Sequence, residues 1–203
     1  MSKATVIDHV FPDMPFKNAS LYLNTALYQL RMALAPHGYK HIAINSQRKY
    51  RLLFEQMDVD YIKFEDAVKA FTDVVPWEKI DETLACEALY TGRIYEHADY
   101  GWAASEQART EQLHTQLCKK LIRQLLHGQR AEHAASLAHK LIARNELDED
   151  AHLMLVQSYL AMNDTASAKR HYARFSEIYE DELGLPLPPA ASQIFAQLHS
   201  RPK

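Results

Sequence analysis

Asn18, Ser20, Asn24, Thr25, Tyr28 and Arg31 crowd into one short stretch, and Arg48 and Lys49 follow in a polar turn. These are the residue types that read nucleic acid. Asn and Gln amides pair bidentately with adenine, and Arg with guanine. Asn and Ser at the start of a helix suit a phosphate, where backbone N–H groups and the helix dipole favour an anion. Arg and Lys in a turn suit phosphate or the minor groove. No pattern offers covalent chemistry. A nucleophile needs a neighbouring base, and no GxSxG occurs. Phosphate-cradling loops need clustered glycines, whereas the 5 glycines here are scattered singly. The histidine pairs His127/His133 and His133/His139 are six residues apart and face different sides of a helix, His37/His41 straddles Pro36 and Gly38, and HExxH is absent. Neither a catalytic centre, a metal site nor a cofactor is expected. Cys86 and Cys118 sit in apolar helical patterns and read as core thiols. The acidic runs Asp148–Asp150 and Glu180–Glu182 read as solvated helix ends.

Elements must hold these residues. Lys3 to Val10 predicts a short helix closed by the turn Phe11-Pro12-Asp13-Met14-Pro15. Asn18 or Ser20 is the expected cap of a second helix over 18–35. In it Leu23, Leu27, Leu30 and Leu34 form one apolar stripe, ended by Pro36 and Gly38. At about 100° per residue, Leu21, Thr25, Tyr28 and Met32 lie opposite that stripe. His41–Ile44 and Tyr50–Leu53 read as two strands, with Asn45 to Lys49 as their turn. Helix, turn, longer helix and hairpin is the order of a winged helix-turn-helix.

Beyond Asp58 the pattern is helical throughout, except for the loop 91–101 and the Pro-rich break at 186–189, with a last short helix expected near Ala191–His199. An internal repeat appears at an offset of 34 residues. Leu117–Asp150 aligns with Ala151–Gly184, bringing Leu121 onto Leu155, Ile122 onto Val156, Ala134 onto Ala168 and Leu141 onto Phe175. Each unit is a helix, a tight turn and a helix, which is the tetratricopeptide period. Trp77 and Trp102, with many tyrosines, are expected to anchor packing between domains. A Tyr/Trp-lined peptide groove is an alternative for them.

The chain has 203 residues, 47% of them apolar and 24% charged, as in ordinary folded domains. No apolar run is long enough to span a bilayer, and no signal-peptide core is present, so a cytoplasmic setting is expected. The net charge of −3 is uneven. Residues 1–57 carry 7 Lys+Arg against 3 acids, and the remainder carries 16 against 23. Only the basic head is suited to meet a polyanion.

Several stretches resemble the bacterial transcriptional activator domain of SARP-type regulators and of response regulators with that architecture. NASLYLNTALYQLRMAL is similar to the family's recognition helix, and YRL at 50–52 to the end of its wing. VDYIKFEDAV resembles its linker. LYTGRIYEHADYGWAASEQAR resembles its Tyr-x-Gly loop and Trp-led helix, and EDELGLPLPP its closing segment. The resemblance implies a winged helix that binds promoter DNA and a tetratricopeptide-like domain that dimerises or contacts RNA polymerase or another protein. Many members also carry a phosphorylated receiver domain, as in two-component signal transduction. Ser2-Lys3 matches the family's second helix, so the chain is expected to be the C-terminal portion of a longer regulator, with part of the leucine stripe uncovered. Gln29 and Met32 stand where the family often has Arg or Lys, and Lys49 where it often has Gly, which implies fewer phosphate contacts.

The expected fold is mainly α: a partial winged helix-turn-helix with a short β-hairpin wing over 1–57, then an all-α tetratricopeptide-like domain over 58–203. The expected function is transcription regulation, with Asn18, Ser20, Asn24, Thr25, Tyr28, Arg31, Arg48 and Lys49 as DNA contacts. A helical-repeat interaction module that does not bind DNA by itself is the alternative.

Overall fold

The computed structural model describes residues 1–39, 43–46, 49–53, 57–71, 74–96 and 100–187. It divides into two compact units. The first joins Met1–Ile62 with Ile94–Gln107, and the second joins Lys63–Arg93 with residues from Ala108 onward.

The first unit opens with α1, Lys3–Val10, as the spacing predicts. The Ser2 hydroxyl caps it by accepting from the Thr5 N–H at 3.1 Å. Helix α2 is Phe16–Leu34 and starts earlier than expected. Pro15 is its N-cap, so Asn18 and Ser20 are not caps. Proline's fixed φ sets up the helix, and the Pro15 carbonyl accepts from Asn18 and Ala19. Ile7, Ala19 and Leu23 form a small core, flanked by Val6, Phe11, Met14, Leu27 and Tyr50. Of the leucine stripe, Leu23 is buried, Leu27 and Leu34 are half-buried, and Leu30 is exposed.

The hairpin is tighter than expected. β1 is Ala43–Ser46 and β2 is Lys49–Leu52, antiparallel, with Ser46 opposite Lys49. Asn45, Ser46 and Lys49 therefore belong to strands, and only positions 47 and 48 lie between them. Pairing up to Ser46 and Lys49 leaves room for a two-residue connection, the commonest hairpin link. His41, Ile42 and Arg48 lie outside the described residues. Met1 extends this sheet: its carbonyl accepts from Tyr50 N at 2.8 Å and its ammonium donates to Tyr50 O at 2.9 Å. Ser2 bridges to Lys49.

The second unit is helical. Helix α3, Asp60–Ala70, enters it, and α4, Ile80–Glu87, follows a single 3-10 turn at Trp77–Lys79 with Pro76 as N-cap. Then come α5 (Ala104–His127), α6 (Ala131–Arg144), α7 (Glu149–Ala161) and α8 (Thr165–Leu183). The closing helix expected near Ala191–His199 lies outside the described residues.

The two helical hairpins, α5–α6 and α7–α8, repeat each other in detail. Gln129 and Asn163, 34 positions apart, are both left-handed, with φ of 60° and 62°. Arg130 N bonds to Leu125 O, and Asp164 N to Tyr159 O, at the same offset. Leu121 and Leu155, Ile122 and Val156, Ala134 and Ala168, and Leu141 and Phe175 are all buried. The two alanines let the second helix of each hairpin approach the first. The main core runs from Phe64, Val75 and Ile80 through the inner faces of α5, α6 and α7. Trp77 and Trp102 each pack within their own unit, Trp77 against Gly128 and Trp102 against Tyr95 and Tyr100.

A polar network enters this core, with Glu87, His114 and Cys118 buried and Lys140 reaching in from the surface. Lys140 donates to both oxygens of Glu87, at 2.8 and 3.1 Å. His114 Nε2 donates to Glu87 Oε1 at 2.9 Å. The Cys118 Sγ lies 3.4 Å from His114 Nε2. Tyr90 stacks on His114.

Candidate nucleic-acid interface

Burial of Ala19 and Leu23 fixes how α2 faces its own unit. Side chains about half a turn away must then point outward. Leu21, Thr25, Tyr28 and Met32 are all exposed, as is Asn24 on their flank. Asn18 is exposed in the first turn, Ser20 is half-buried, and Arg31 is half-buried near the C-terminal end. Asn24, Thr25, Tyr28 and Arg31 therefore share one side of one helix.

Local bonds set what each can offer. The Thr25 hydroxyl donates to the Leu21 carbonyl at 3.1 Å, which turns it from donor to outward methyl and spare acceptor. Lys3 Nζ donates to Asn24 Oδ1 at 3.4 Å. That leaves the Asn24 amide N–H groups to donate, and brings a cation beside the outer face. Arg31 already has a partner within the protein. Lys49 is exposed at the start of β2, while Arg48 lies outside the described residues. Lys3 is the addition that spacing could not supply, because it reaches α2 only once α1 folds back. Its position 21 residues before Asn24 carries no periodic signal.

Chemically this surface is a hydrogen-bonding and apolar face with few charges. Amide, hydroxyl and phenol groups suit base edges, and methyl groups suit thymine. Lys3 supplies a cation beside it through Asn24, while Lys17 lies in the first turn of α2 and Lys49 begins β2.

The second unit offers a different constellation. Ligating atoms of Glu87, His114 and Cys118 lie within 4.8 Å of one another, all buried, and form a potential metal-binding group. Lys140 argues against a cation there, because its ammonium already neutralises Glu87. Burial works against the Glu87 charge, but the hydrogen bonds from His114 and Lys140 outweigh it and hold the carboxyl below its ordinary range. Burial, with Glu87 alongside, pushes the Cys118 thiol far up, so it is a core thiol and not a nucleophile.

The profile of the bacterial transcriptional activator domain matches residues 58–198. The chain belongs to that family of transcriptional regulators. Its fold is also that of a known structure. Over its whole length it superposes on Mycobacterium tuberculosis EmbR, solved in complex with a low affinity phosphopeptide, with a TM-score of 0.65 and 13% identity. The chain spans 56% of that protein's solved chain. No curated protein matches it in sequence. The mainly α fold with a tetratricopeptide-like helical domain is thus the one expected, and no helix among the described residues is long and apolar enough to cross a membrane.

Proposed function

We propose that the chain is the DNA-binding and helical output portion of a SARP-type or two-component regulator acting in the cytoplasm, without enzymatic activity. Residues 1–57 form a partial winged helix-turn-helix, and 58–203 form the activator domain. Helix α2 enters the major groove of promoter DNA with Asn24, Thr25, Tyr28 and Arg31 toward the bases, and Asn18 and Ser20 near phosphate. Arg48 and Lys49 in the wing touch phosphate or the minor groove. The helical domain supports a homodimer or a contact to RNA polymerase or another protein.

The observation that carries this reading is the outer face of α2, exposed opposite a buried Ala19–Leu23 side, in a member of a transcription-regulator family. The uneven charge supports it, since the basic residues outnumber acids only in 1–57. Few charges on the face make the salt dependence shallow.

Fluorescence anisotropy with a mixed-sequence duplex tests it. Binding at low salt is expected to weaken by about tenfold or less on Lys49→Ala, with the dependence on salt made shallower by about one phosphate contact. Absence of binding at low salt would favour the interaction-module reading.

A further inference from the structure

The second helical hairpin and α6 border a half-open cavity that DNA docking does not use. It has a volume of about 520 Å³ and lies among α6, α7, α8 and the loop at Glu146. That is the size of a small-molecule site. One wall is apolar, from Ile142, Phe175 and Ile178. Two arginines also line it, Arg144 at the end of α6 and the exposed Arg174 on α8. Neither forms an ion pair among the described residues, and Arg144 lies 4.5 Å over the Tyr90 ring.

Imidazoles form the floor. The Glu146 carbonyl can only accept, so His152 Nε2 carries the proton and donates to it at 3.0 Å. His152 Nδ1 then accepts from His171 Nε2, also at 3.0 Å. The neutral His171 is left with a bare Nδ1. His152 is 3% exposed and lies flat on Phe175, with ring centroids 3.7 Å apart. The floor is therefore a preformed polar array, with His152 buried and His171 half-buried. His139 joins from α6, held by the Tyr159 hydroxyl at 3.1 Å.

We propose that this cavity binds a small organic anion, its carboxylate or phosphate oxygens on Arg144 and Arg174 and its apolar body against Phe175 and Ile178. Two arginines without an ion pair among the described residues, beside an apolar wall, are complementary to that chemistry. The inference stands apart from DNA docking by α2.

Binding is linked to a proton. Burial, with His152, His139 and Arg174 around it, pushes His171 down to about 4. Burial also lowers His152, against the Glu146 hydrogen bond and the Asp148 charge. An anion offsets the surrounding positive charge and raises the His171 value. In the window between the free and bound values, binding takes up a proton, and His171 Nδ1 becomes a donor. Affinity therefore rises as pH falls.

The test titrates the full chain with benzoate, phenyl phosphate and inorganic phosphate, following histidine NMR signals. Saturable shifts of His152 and His171 with benzoate or phenyl phosphate are expected, and the tighter of the two names the head group. Arg174→Gln, at an exposed position that leaves the core intact, is expected to weaken binding by about tenfold. Benzoate, still mostly ionised at pH 5, is expected to bind tighter there than at pH 8. No saturable shift, binding untouched by Arg174→Gln, or inorganic phosphate binding as tightly as the organic anions would overturn the assignment.

Discussion

Gly128 passes so close to the Trp77 ring that a Cβ there would sit 1.9 Å from Trp77 Cη2. Alanine at 128 must therefore push the ring aside. Gly128→Ala is expected to destabilise by about 1–2 kcal/mol, measured by urea unfolding, and to red-shift the tryptophan emission. In a Trp77→Ala background the same change should become neutral or stabilising, because the clash is gone and alanine leaves the unfolded chain less freedom than glycine. Equal losses in both backgrounds would refute the contact. Its neighbour Gln129 holds φ at 60° without being glycine. A left-handed Gln carries about 1 kcal/mol of strain, so Gln129→Gly should raise the unfolding free energy by up to about 1 kcal/mol. Asn163 occupies the matching turn at φ 62° with a residue that tolerates it, so Asn163→Gly should change little. Such single-residue facts were partly legible. The alanine pair Ala134/Ala168 and the turn offset stood in the sequence. The Trp77–Gly128 contact did not, since it joins residues 51 positions apart.

The helices themselves were legible because their apolar spacing is strong and local. Helix α1 and the α5–α8 hairpins follow the 3.6-residue pattern. The hairpin was less so. Alternation cannot tell a five-residue turn from a two-residue one when Asn45 and Ser46 are polar strand residues, and ladder bonds decide it. The start of α2 was misplaced because Asn18 and Ser20 are good caps in isolation, while Pro15 takes the position. The core network between α4, α5 and α6 left no sequence signal, because Glu87, His114 and Lys140 meet only in the tertiary fold. It has a measurable signature. The folded Glu87 carboxyl lies below its ordinary value of 4.5, so its contribution is fully present above that pH and is lost as pH falls through the lower folded value. Lys140→Met removes a depressing partner and should flatten the fall in stability below about pH 5. Glu87→Ala, which leaves His114 and Lys140 facing an uncompensated site, should cost about 3 kcal/mol. An unchanged acid limb in Lys140→Met would show that the pair does not hold the charge.

Taken together, the chain joins a basic head, with 7 Lys+Arg against 3 acids in residues 1–57, to an acidic helical remainder. The family match covers residues 58–198, so the DNA-binding reading rests on the head's own geometry. The order helix, longer helix, hairpin was readable. What the sequence could not reveal is that residues 94–107 group with the head, because nothing local marks a return to it. The account's central claim is that α2 presents its outer face to DNA. Amide NMR of the full chain during addition of a duplex at low salt tests this directly. The account predicts that Asn24, Thr25, Tyr28 and Lys49 shift, while α6, α7 and α8 stay unmoved. Shifts confined to the helical repeat, or none at all while the head remains folded, would contradict it.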